Sequence, residues 1–167
     1  MSGRFVVLLV LAALAIGGGG TLLTRSGEAD AGSGTVVRVV DGDTVHVRLG
    51  DGRVEKVRYI GIDTPESVKP GTPVQCYAKA ASARNAELVD GERVTLRTDA
   101  EARDRYGRLL AYVYRDRDDL FVNLALASEG YAVPLTIPPN VAHAEEFRAA
   151  AAKARRADRG LWQACAR

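Results

Sequence analysis

From Thr35 onwards apolar residues alternate with polar ones, and this two-residue period is the strongest constraint that the sequence places on the fold. Valine and leucine alternate with arginine and histidine at 37–39 and again at 45–49. Because successive side chains of a strand point to opposite faces, this pattern is typical of half-buried β-strands. A glycine-rich turn at 49–53 leads into a further apolar segment at 54–62, so this part of the chain predicts a β-hairpin.

Alanine-rich segments and two more alternating segments follow the hairpin. Strands are expected at 93–98 and 108–115, and an irregular loop at 67–75, where two prolines and a glycine interrupt any regular pattern. The expected helices are 76–89, 120–129 and 141–158. Five or so short antiparallel strands with helices between them are typical of a small closed barrel of the OB type, so we expect an α+β fold. A mixed open sheet is the alternative.

The N-terminus carries an uninterrupted apolar run, Phe5–Ile16, directly after Arg4 and before four glycines. A short positively charged stretch before such a run is typical of an export signal. A core helix of a globular domain is the alternative, but nothing polar interrupts the run and the glycines follow it. The sequence therefore predicts an exported protein, either secreted or anchored at the outer face of the cytoplasmic membrane.

Two fates of the N-terminal segment are open. Ala29-Asp30-Ala31 provides the small residues of a cleavage site. Residues 5–23, in contrast, approach the roughly 20 residues that span a bilayer and would serve as an uncleaved membrane anchor. The stretch 27–34 is rich in glycine, alanine and serine and predicts a flexible linker. We therefore expect a signal or anchor with its linker over 1–34 and one folded domain over 35–167.

The chain contains two cysteines, Cys76 at the start of the first expected helix and Cys165 near the C-terminus. In an exported protein such a pair forms a disulfide where the geometry allows it, and the alternative is two unpaired, buried thiols. Closing so long a loop stabilises a fold by about 4–5 kcal/mol in the chain-entropy model. The export signal favours the disulfide.

The overall composition excludes several classes of protein but does not identify a partner. With 47% hydrophobic and 26% charged residues, the chain is neither a disordered tail, nor collagen-like, nor a multi-pass membrane protein. The formal net charge of +2 is too small to demand or exclude a polyanionic partner. Local motifs therefore have to indicate the function.

Three short charged segments lie at the expected strand boundaries, at 41–44, 58–66 and 104–108. Each has a purely structural explanation when it is taken alone: an Asp-Gly turn, a solvated edge strand and a charged hairpin loop. An EF-hand calcium loop that starts at Asp41 is excluded, because its twelfth residue would be Gly52 where a glutamate is required.

Together the three segments contain the side chains needed to bind and cleave a phosphate ester. These side chains belong to Asp43, Asp63, Arg58, Arg108, Glu66 and Tyr106. The two aspartates offer oxygen ligands for a hard divalent cation, and the two arginines offer planar donor groups for a phosphate. The glutamate is left to handle a proton, and the tyrosine ring is able to stack on a base.

Longer stretches around these residues resemble the signature segments of a known family. DGDTVHV followed by RYIGIDTPE, and later DRYGRLLAYVY, are similar in identity and spacing to those of the thermonuclease (staphylococcal-nuclease-like) family. GLW near the C-terminus and the placement of the two cysteines resemble the exported bacterial members of that family. The resemblance covers about residues 35–165 and implies a five-stranded OB-fold β-barrel with three helices.

The resemblance also implies roles for individual residues. The ligands of a Ca²⁺ ion would be Asp43, Asp63 and the main-chain carbonyl of Thr64. The catalytic residues would be Arg58, Glu66 and Arg108. The terminal phosphate and the base of the nucleotide would contact Arg105 and Tyr106. The sequence departs from the family at 130–137, which has no tyrosine after Tyr131, so a different packing around the base is expected.

The resemblance thus implies a calcium-dependent phosphodiesterase that hydrolyses DNA, RNA or both, cutting within the strand and leaving 3′-phosphate ends. We expect a monomer whose partner is its nucleic-acid substrate. One alternative is a non-catalytic OB-fold module that binds single-stranded nucleic acid, the other common use of the barrel. A second is a cell-surface interaction domain that keeps the barrel for stability alone. Neither alternative requires Asp43, Glu66 and both arginines together.

Overall fold

The computed structural model describes residues 28–67, 71 and 73–166. The expected export signal and membrane anchor lie outside the described residues. None of the helices in the described part of the chain has the length and apolar character needed to span a bilayer. The strands are β1 Ala29–Val39, β2 Thr44–Leu49, β3 Val54–Tyr59, β4 Gly61–Asp63, β5 Arg93–Thr98, β6 Leu109–Arg115, β7 Leu120–Phe121 and β8 Val133–Leu135. The helices are α1 Ala78–Val89, α2 Val122–Ser128, α3 Ala144–Arg156 and α4 Leu161–Ala164.

Five of the strands form a closed barrel in the order β3–β2–β1–β5–β6. Neighbouring strands are antiparallel except at the closure, where β3 pairs in parallel with β6. Strand β7 extends the sheet beside β6, and β4 pairs with β8 in a separate two-stranded sheet. The predicted α+β class and five-stranded OB-type barrel are confirmed, and the alternative of an open mixed sheet is excluded.

The barrel interior is filled by the apolar half of the alternating pattern. Val45, Val47, Val57 and Val94 are completely buried there. The arginine and histidine side chains between the valines of β2 face outwards, as the two-residue period predicts. Each buried methylene group contributes about 0.8 kcal/mol, so this pattern fixes which face of each strand lies inside.

Strand β1 begins at Ala29 rather than at Thr35. Residues 29–34 pair with β5 instead of forming the predicted flexible linker, and that prediction is wrong for this stretch. On the other side, Gly34 pairs with β2, and a Cβ at this position would collide with the main-chain oxygen of Arg48. Glycine therefore serves close packing between strands here and not flexibility.

The three expected helices are present as α1, α2 and α3, and the four-residue α4 is an addition to them. The segment expected as one strand over 54–62 is divided at Ile60 into β3 and β4. Gly61 turns the chain there with a φ of +83°, and its lack of a side chain leaves room for the Phe147 ring of α3. The buried Asn123 of α2 donates to the Ile60 carbonyl and accepts from the Val113 N–H. These contacts fix the end of β3, where the site lies.

Cys76 and Cys165 form a disulfide with their Cα atoms 6.0 Å apart, as predicted. The bond joins the residues just before α1 to the end of α4. It therefore ties the C-terminus to the loop that follows β4.

Candidate active site

A cavity of about 220 Å³ opens where the start of β2, the end of β3 and the loop after β4 meet. Its lining consists of Asp41, Asp43, Thr44, Arg58, Asp63, Thr64, Pro65, Glu66 and Arg108. The structure thus brings together all the residues predicted to hold a metal or to act in catalysis. They come from three stretches that are distant from one another in the sequence.

Asp43 is held in the cavity by the turn that precedes β2. Its main-chain N–H donates to the Asp41 carboxylate at 3.1 Å, which closes an Asx turn. Its own Oδ2 accepts from the main-chain N–H and the hydroxyl of Thr64, at 2.8 and 3.0 Å. Gly42 permits this approach, since a Cβ there would lie 2.6 Å from the Thr64 hydroxyl oxygen. The Asp-Gly pair therefore allows the turn before β2 to contact the loop after β4.

The Arg58 guanidinium lies between the two predicted metal ligands. Its Nε is 3.1 Å from Asp43 Oδ1, and its Nη2 donates to Asp63 Oδ1 at 2.8 Å. Its Nη1 donates to the main-chain carbonyls of Tyr59 and Ile62, at 2.7 and 2.8 Å. The side chain is only 13% exposed, so these contacts hold the guanidinium in one orientation at the cavity wall.

Four carboxylates line this cavity, and the pKa values of two of them, Asp41 and Asp63, are raised. Burial and then the negative charge of Asp43 raise the pKa of Asp41 to about 6. Burial also raises the pKa of Asp63 against the opposing effect of Arg58, and the charges of Asp43 and Glu66 add to the increase. A divalent cation would relieve this crowding by favouring the charged carboxylates, whose oxygens are the ligands that hard cations prefer.

The donor atoms fit a cation that is held by few protein groups. In the described residues, no three Asp, Glu, His or Cys side chains are grouped as a ready-made metal cage. The pair that Arg58 bridges, Asp43 and Asp63, supplies carboxylate oxygens to one cavity, with Thr64 beside them. Asp41 lines the same cavity but was not among the predicted ligands. Its place two residues before Asp43 in the same turn is the signal that points to it.

Glu66 is positioned through its main chain. Its N–H donates to the side-chain oxygen of Gln75 at 2.8 Å, and the Gln75 N–H donates to the Glu66 carbonyl at 2.9 Å. This reciprocal pair joins the two ends of the loop between β4 and α1. Gln75 is a positioning residue that the sequence did not predict, because a glutamine in a proline-containing loop carries no pattern of its own.

Arg108 is positioned by the turn that enters β6. The Asp104 carboxylate accepts from the main-chain N–H groups of Tyr106 and Arg108, at 2.9 and 3.0 Å, and from Arg108 Nε at 2.7 Å. Burial alone would raise the pKa of Asp104, but these hydrogen bonds outweigh it and lower the pKa. Asp104 therefore stays charged and holds the arginine against the cavity, a role that the motif alone did not assign to it.

A second cavity, of about 460 Å³, adjoins the first. Its lining consists of Arg58, Tyr59, Ile60, Gly61, Ile62, Glu101, Asp104, Arg105, Tyr106, Arg108, Leu110, Leu135, Ile137 and Asn140. Arg58 and Arg108 are the residues that it shares with the first cavity. A group bound between these two arginines therefore contacts both cavities.

The predicted nucleotide-binding residues lie at the second cavity. The Tyr106 ring is 69% exposed, and Arg105 donates to its hydroxyl at 2.6 Å. Tyr131 lies elsewhere and stacks on Tyr77, with ring centroids 5.3 Å apart. The wall beyond Tyr131 is aliphatic, since β8 and the residues after it contribute leucine and isoleucine to the lining. Residues 135 and 137 thus offer aliphatic rather than aromatic side chains to this cavity.

Comparison with known proteins shows which family the chain resembles. The family model described as "Staphylococcal nuclease homologue" matches residues 56–164. A thermonuclease of Staphylococcus intermedius is 40% identical over 158 residues, which cover 95% of this chain and 92% of that protein. A thermonuclease of Staphylococcus hyicus is 41% identical over 127 residues, covering 76% and 73% of the two chains. Endonuclease YncB of Bacillus subtilis (strain 168) is 41% identical over 130 residues, covering 77% of this chain and 60% of that protein.

The matched segment contains the last four residues of β3, the loop after β4 and all of β6, and it therefore includes Arg58, Glu66 and Arg108. The longest of these alignments covers nearly all of both chains. On its fold, on the residues that meet in its first cavity and on these similarities, the chain belongs to the staphylococcal nuclease family.

Proposed function

We propose that this protein is a calcium-dependent nuclease that hydrolyses phosphodiester bonds of DNA, RNA or both within the strand and leaves 3′-phosphate ends. Its relatives are named thermonucleases and endonucleases, which supports phosphodiester hydrolysis. The observation that carries the proposal is the convergence of Arg58, Arg108, Glu66 and the two aspartates at one cavity. The predicted export signal and the disulfide support a site of action outside the cytoplasm.

The two arginines supply positive charge that would stabilise the transition state of the reaction. Attack on a phosphodiester places more negative charge on the phosphoryl oxygens in the transition state than in the ground state. Donors that are already oriented stabilise that extra charge without reorganising, and this difference lowers the barrier. Arg58 is oriented by Asp43 and Asp63, and Arg108 by Asp104. A phosphate held between the two arginines would therefore be met by preformed donors from two sides.

The first cavity is suited to hold a cation beside that phosphate. Asp43 and Asp63 provide the carboxylate oxygens, and the main-chain carbonyl of Thr64 provides a third donor group. When bound, the ion would neutralise charge on a phosphoryl oxygen. Because only two charged side chains hold it, we expect weak binding, in the upper part of the range of about 10⁻⁵–10⁻³ M.

Glu66 lines the same cavity as Asp43, Asp63 and the two arginines. Its main chain is fixed by Gln75, so its side chain extends from a defined point of the loop. A carboxylate at this place would accept a proton from the attacking water or orient that water, and such a group contributes about 10²–10⁴ to a rate.

The test is digestion of single- and double-stranded DNA and RNA with Ca²⁺, with Mg²⁺ and with EDTA. We expect strand cleavage in Ca²⁺, its loss in EDTA and its recovery when Ca²⁺ is added back. The product ends are identified by whether a polymerase extends them only after phosphatase treatment, as 3′-phosphates require. A Glu66→Gln sample purified in parallel controls for contaminating nucleases.

Three outcomes contradict the proposal in different ways. Undiminished cleavage in EDTA removes the metal from the mechanism. Products with free 3′-hydroxyl groups reverse the expected side of cleavage. Tight binding of single strands without any cleavage favours the non-catalytic OB-fold module instead.

A further inference from the structure

The outer face of β1, β2 and β3 carries basic side chains that the proposed reaction does not use. The strand register places Arg38 opposite His46 and His46 opposite Lys56, so these side chains lie side by side across three strands. Arg48 lies two residues further along β2 on the same face. We call Arg38, His46, Arg48 and Lys56 the basic strip.

The basic strip is continuous with the first cavity. Thr44 and Arg58 line that cavity and pair with each other in the row next to the His46–Lys56 pair. Residues two apart on a strand share a face, so from the Thr44 row to the Arg48 row this face extends about 13 Å. One strand of a B-form duplex carries about four phosphates over that length.

Acidic side chains do not neutralise the basic strip. In the part of the chain that the structure describes, no ion pair joins Arg38, Arg48 or Lys56 to a carboxylate. Several arginines elsewhere on the barrel surface are paired with carboxylates. Examples are Arg93 with Asp116, Arg103 with Glu55 and Arg117 with Glu92, at 2.8–3.1 Å. The strip is therefore a local excess of positive charge on a protein whose formal net charge is only +2.

The electrostatics of His46 agree with this arrangement. Burial lowers the pKa of the imidazole, and the positive charges of Arg38 and Lys56 lower it further. A cluster of like charges opposes the charging of a neighbour and attracts polyanions.

We propose that the basic strip binds backbone phosphates of the polynucleotide as the substrate strand continues out of the first cavity along the face of β1–β3. This inference rests on the proposed function, because it takes the scissile phosphate to lie between Arg58 and Arg108. The row that contains Arg58 leads directly into the strip, and this continuity favours the substrate strand over an unrelated anion. The strip would then raise the affinity for long substrates relative to short ones, independently of their base sequence.

The experiment compares Arg38→Gln/Lys56→Gln with Lys153→Gln/Arg156→Gln on α3. Both double variants remove one arginine and one lysine charge from exposed positions. The readout is the ratio of kcat/KM for a single-stranded 20-mer to kcat/KM for a dinucleotide. We expect this ratio to fall about tenfold in the strip variant, since two exposed charge contacts are lost, and to stay unchanged in the α3 variant.

A binding measurement separates this inference from the proposed function. In EDTA, affinity for a labelled 20-mer is measured by fluorescence anisotropy at several salt concentrations. The slope of log K against log salt concentration changes by about 0.7 for each phosphate of a single strand that the protein neutralises. The strip variant lacks two charges, so its slope should be about 1.4 smaller in magnitude than that of the wild type. A wild-type protein that cleaves nothing overturns the proposed function, whereas an unchanged slope and an unchanged ratio overturn the role of the strip.

Two further samples complete the test. Arg38→Lys/Lys56→Arg keeps both charges and should retain the wild-type ratio and slope, and its failure to do so would contradict an electrostatic role. Vesicles of phosphatidylglycerol and phosphatidylcholine test the other source of phosphate groups. If the strip variant loses vesicle binding while its ratio and slope match the wild type, the strip is a membrane-binding surface and the inference is wrong.

Discussion

At the scale of single residues, each arginine of the site is oriented by a carboxylate. Arg58 lies between Asp43 and Asp63, and Arg108 is bound by Asp104 through its Nε and its main chain. A long side chain loses up to about 2 kcal/mol of rotamer entropy when it is fixed. These contacts fix the guanidinium groups before a substrate arrives, so substrate binding does not have to offset this loss of entropy.

We expect Glu66→Gln and Arg108→Ala each to lower kcat at least about 100-fold, because each removes a group that acts on charge or protons in the transition state. Steady-state cleavage of a single-stranded oligonucleotide in Ca²⁺ measures the effect. Circular dichroism should show an unchanged fold, since both residues lie at the surface of a cavity.

Glu145→Gln provides the matched control for Glu66→Gln. The Glu145 side chain is 90% exposed on α3 and contacts Arg148 only at the surface. It should leave kcat within about twofold of the wild type, as surface substitutions usually change little. Wild-type turnover in Glu66→Gln would remove this residue from the mechanism.

The sequence predicts the site residues whose side chains have a chemical role, but it misses the residues that hold them in place. Asp43, Arg58 and Arg108 stand in motifs whose residue types already suggest their chemistry. Gln75 and Asp104 hold other site residues in place, and their hydrogen bonds are made to main-chain groups as well as to side chains. Such contacts depend on the path of the chain, which residue types alone do not specify.

At the scale of elements, a buried polar network joins the start of β1 to α3. Glu28, whose side chain is only 3% exposed, contacts His143 Nε2 and lies 3.3 Å from Arg97 Nη1. His143 Nδ1 is 2.8 Å from the Glu146 carboxylate. The network explains how a stretch of small residues is held in the sheet, and none of its members belongs to the predicted motifs.

Glu28→Gln should lower the free energy of unfolding by about 1–3 kcal/mol at neutral pH, because a buried charged hydrogen bond is lost. Burial alone would raise the pKa of Glu28, but the hydrogen bonds and charges of His143 and Arg97 outweigh it and lower the pKa. A lowered pKa in the folded state stabilises the protein above the ordinary carboxyl pKa of about 4.3. The difference between the two proteins should therefore shrink as the pH falls below about 4.

Urea denaturation at a series of pH values from 7 to 3 measures this difference. The exposed Glu145→Gln variant should show no comparable pH-dependent gap from the wild type. A gap for Glu28→Gln that is constant over the series would show that the charge of Glu28 contributes nothing and that only its packing matters.

The bounds of some strands can be predicted from the sequence, whereas those of others cannot. In β2 the alternation of valine with polar residues identifies both the strand and its inner face. Residues 29–34 of β1 carry no such alternation, and their pairing with β5 supplies the order that their own side chains do not. The order of such a stretch comes from main-chain pairing with a strand that is distant in the sequence. Its local composition does not reveal this pairing and therefore predicts a linker.

At the scale of the whole molecule, closure of the barrel creates the site. The parallel pairing of β3 with β6 aligns Val57 with Leu109 and Arg58 with Leu110. Arg108 precedes β6, so this one pairing brings the two arginines to the same end of the barrel. No periodicity in the sequence indicates which strands meet at the closure.

The disulfide acts on the whole chain as well, since it closes a loop between residues 89 apart. In the chain-entropy model, removing it with Cys76→Ser/Cys165→Ser releases the unfolded chain and lowers the free energy of unfolding by about 4–5 kcal/mol. Urea denaturation measures the free energy of unfolding of this variant and of the wild type with and without reductant. The variant and the reduced wild type should lose the same amount relative to the oxidised wild type. A loss below about 1 kcal/mol would show that the bond adds little to the stability of the fold.

The same variant tests how far stability and catalysis are separate. Cys76 follows Gln75 directly, but the two hydrogen bonds between Gln75 and Glu66 do not involve the sulfur atoms. We therefore expect kcat at 25 °C to remain within about threefold of the wild type while the folded protein persists, because the groups that stabilise the transition state are retained. A loss as large as that of Glu66→Gln would instead mean that the disulfide positions the loop after β4, and catalysis would then depend on the redox state of the compartment.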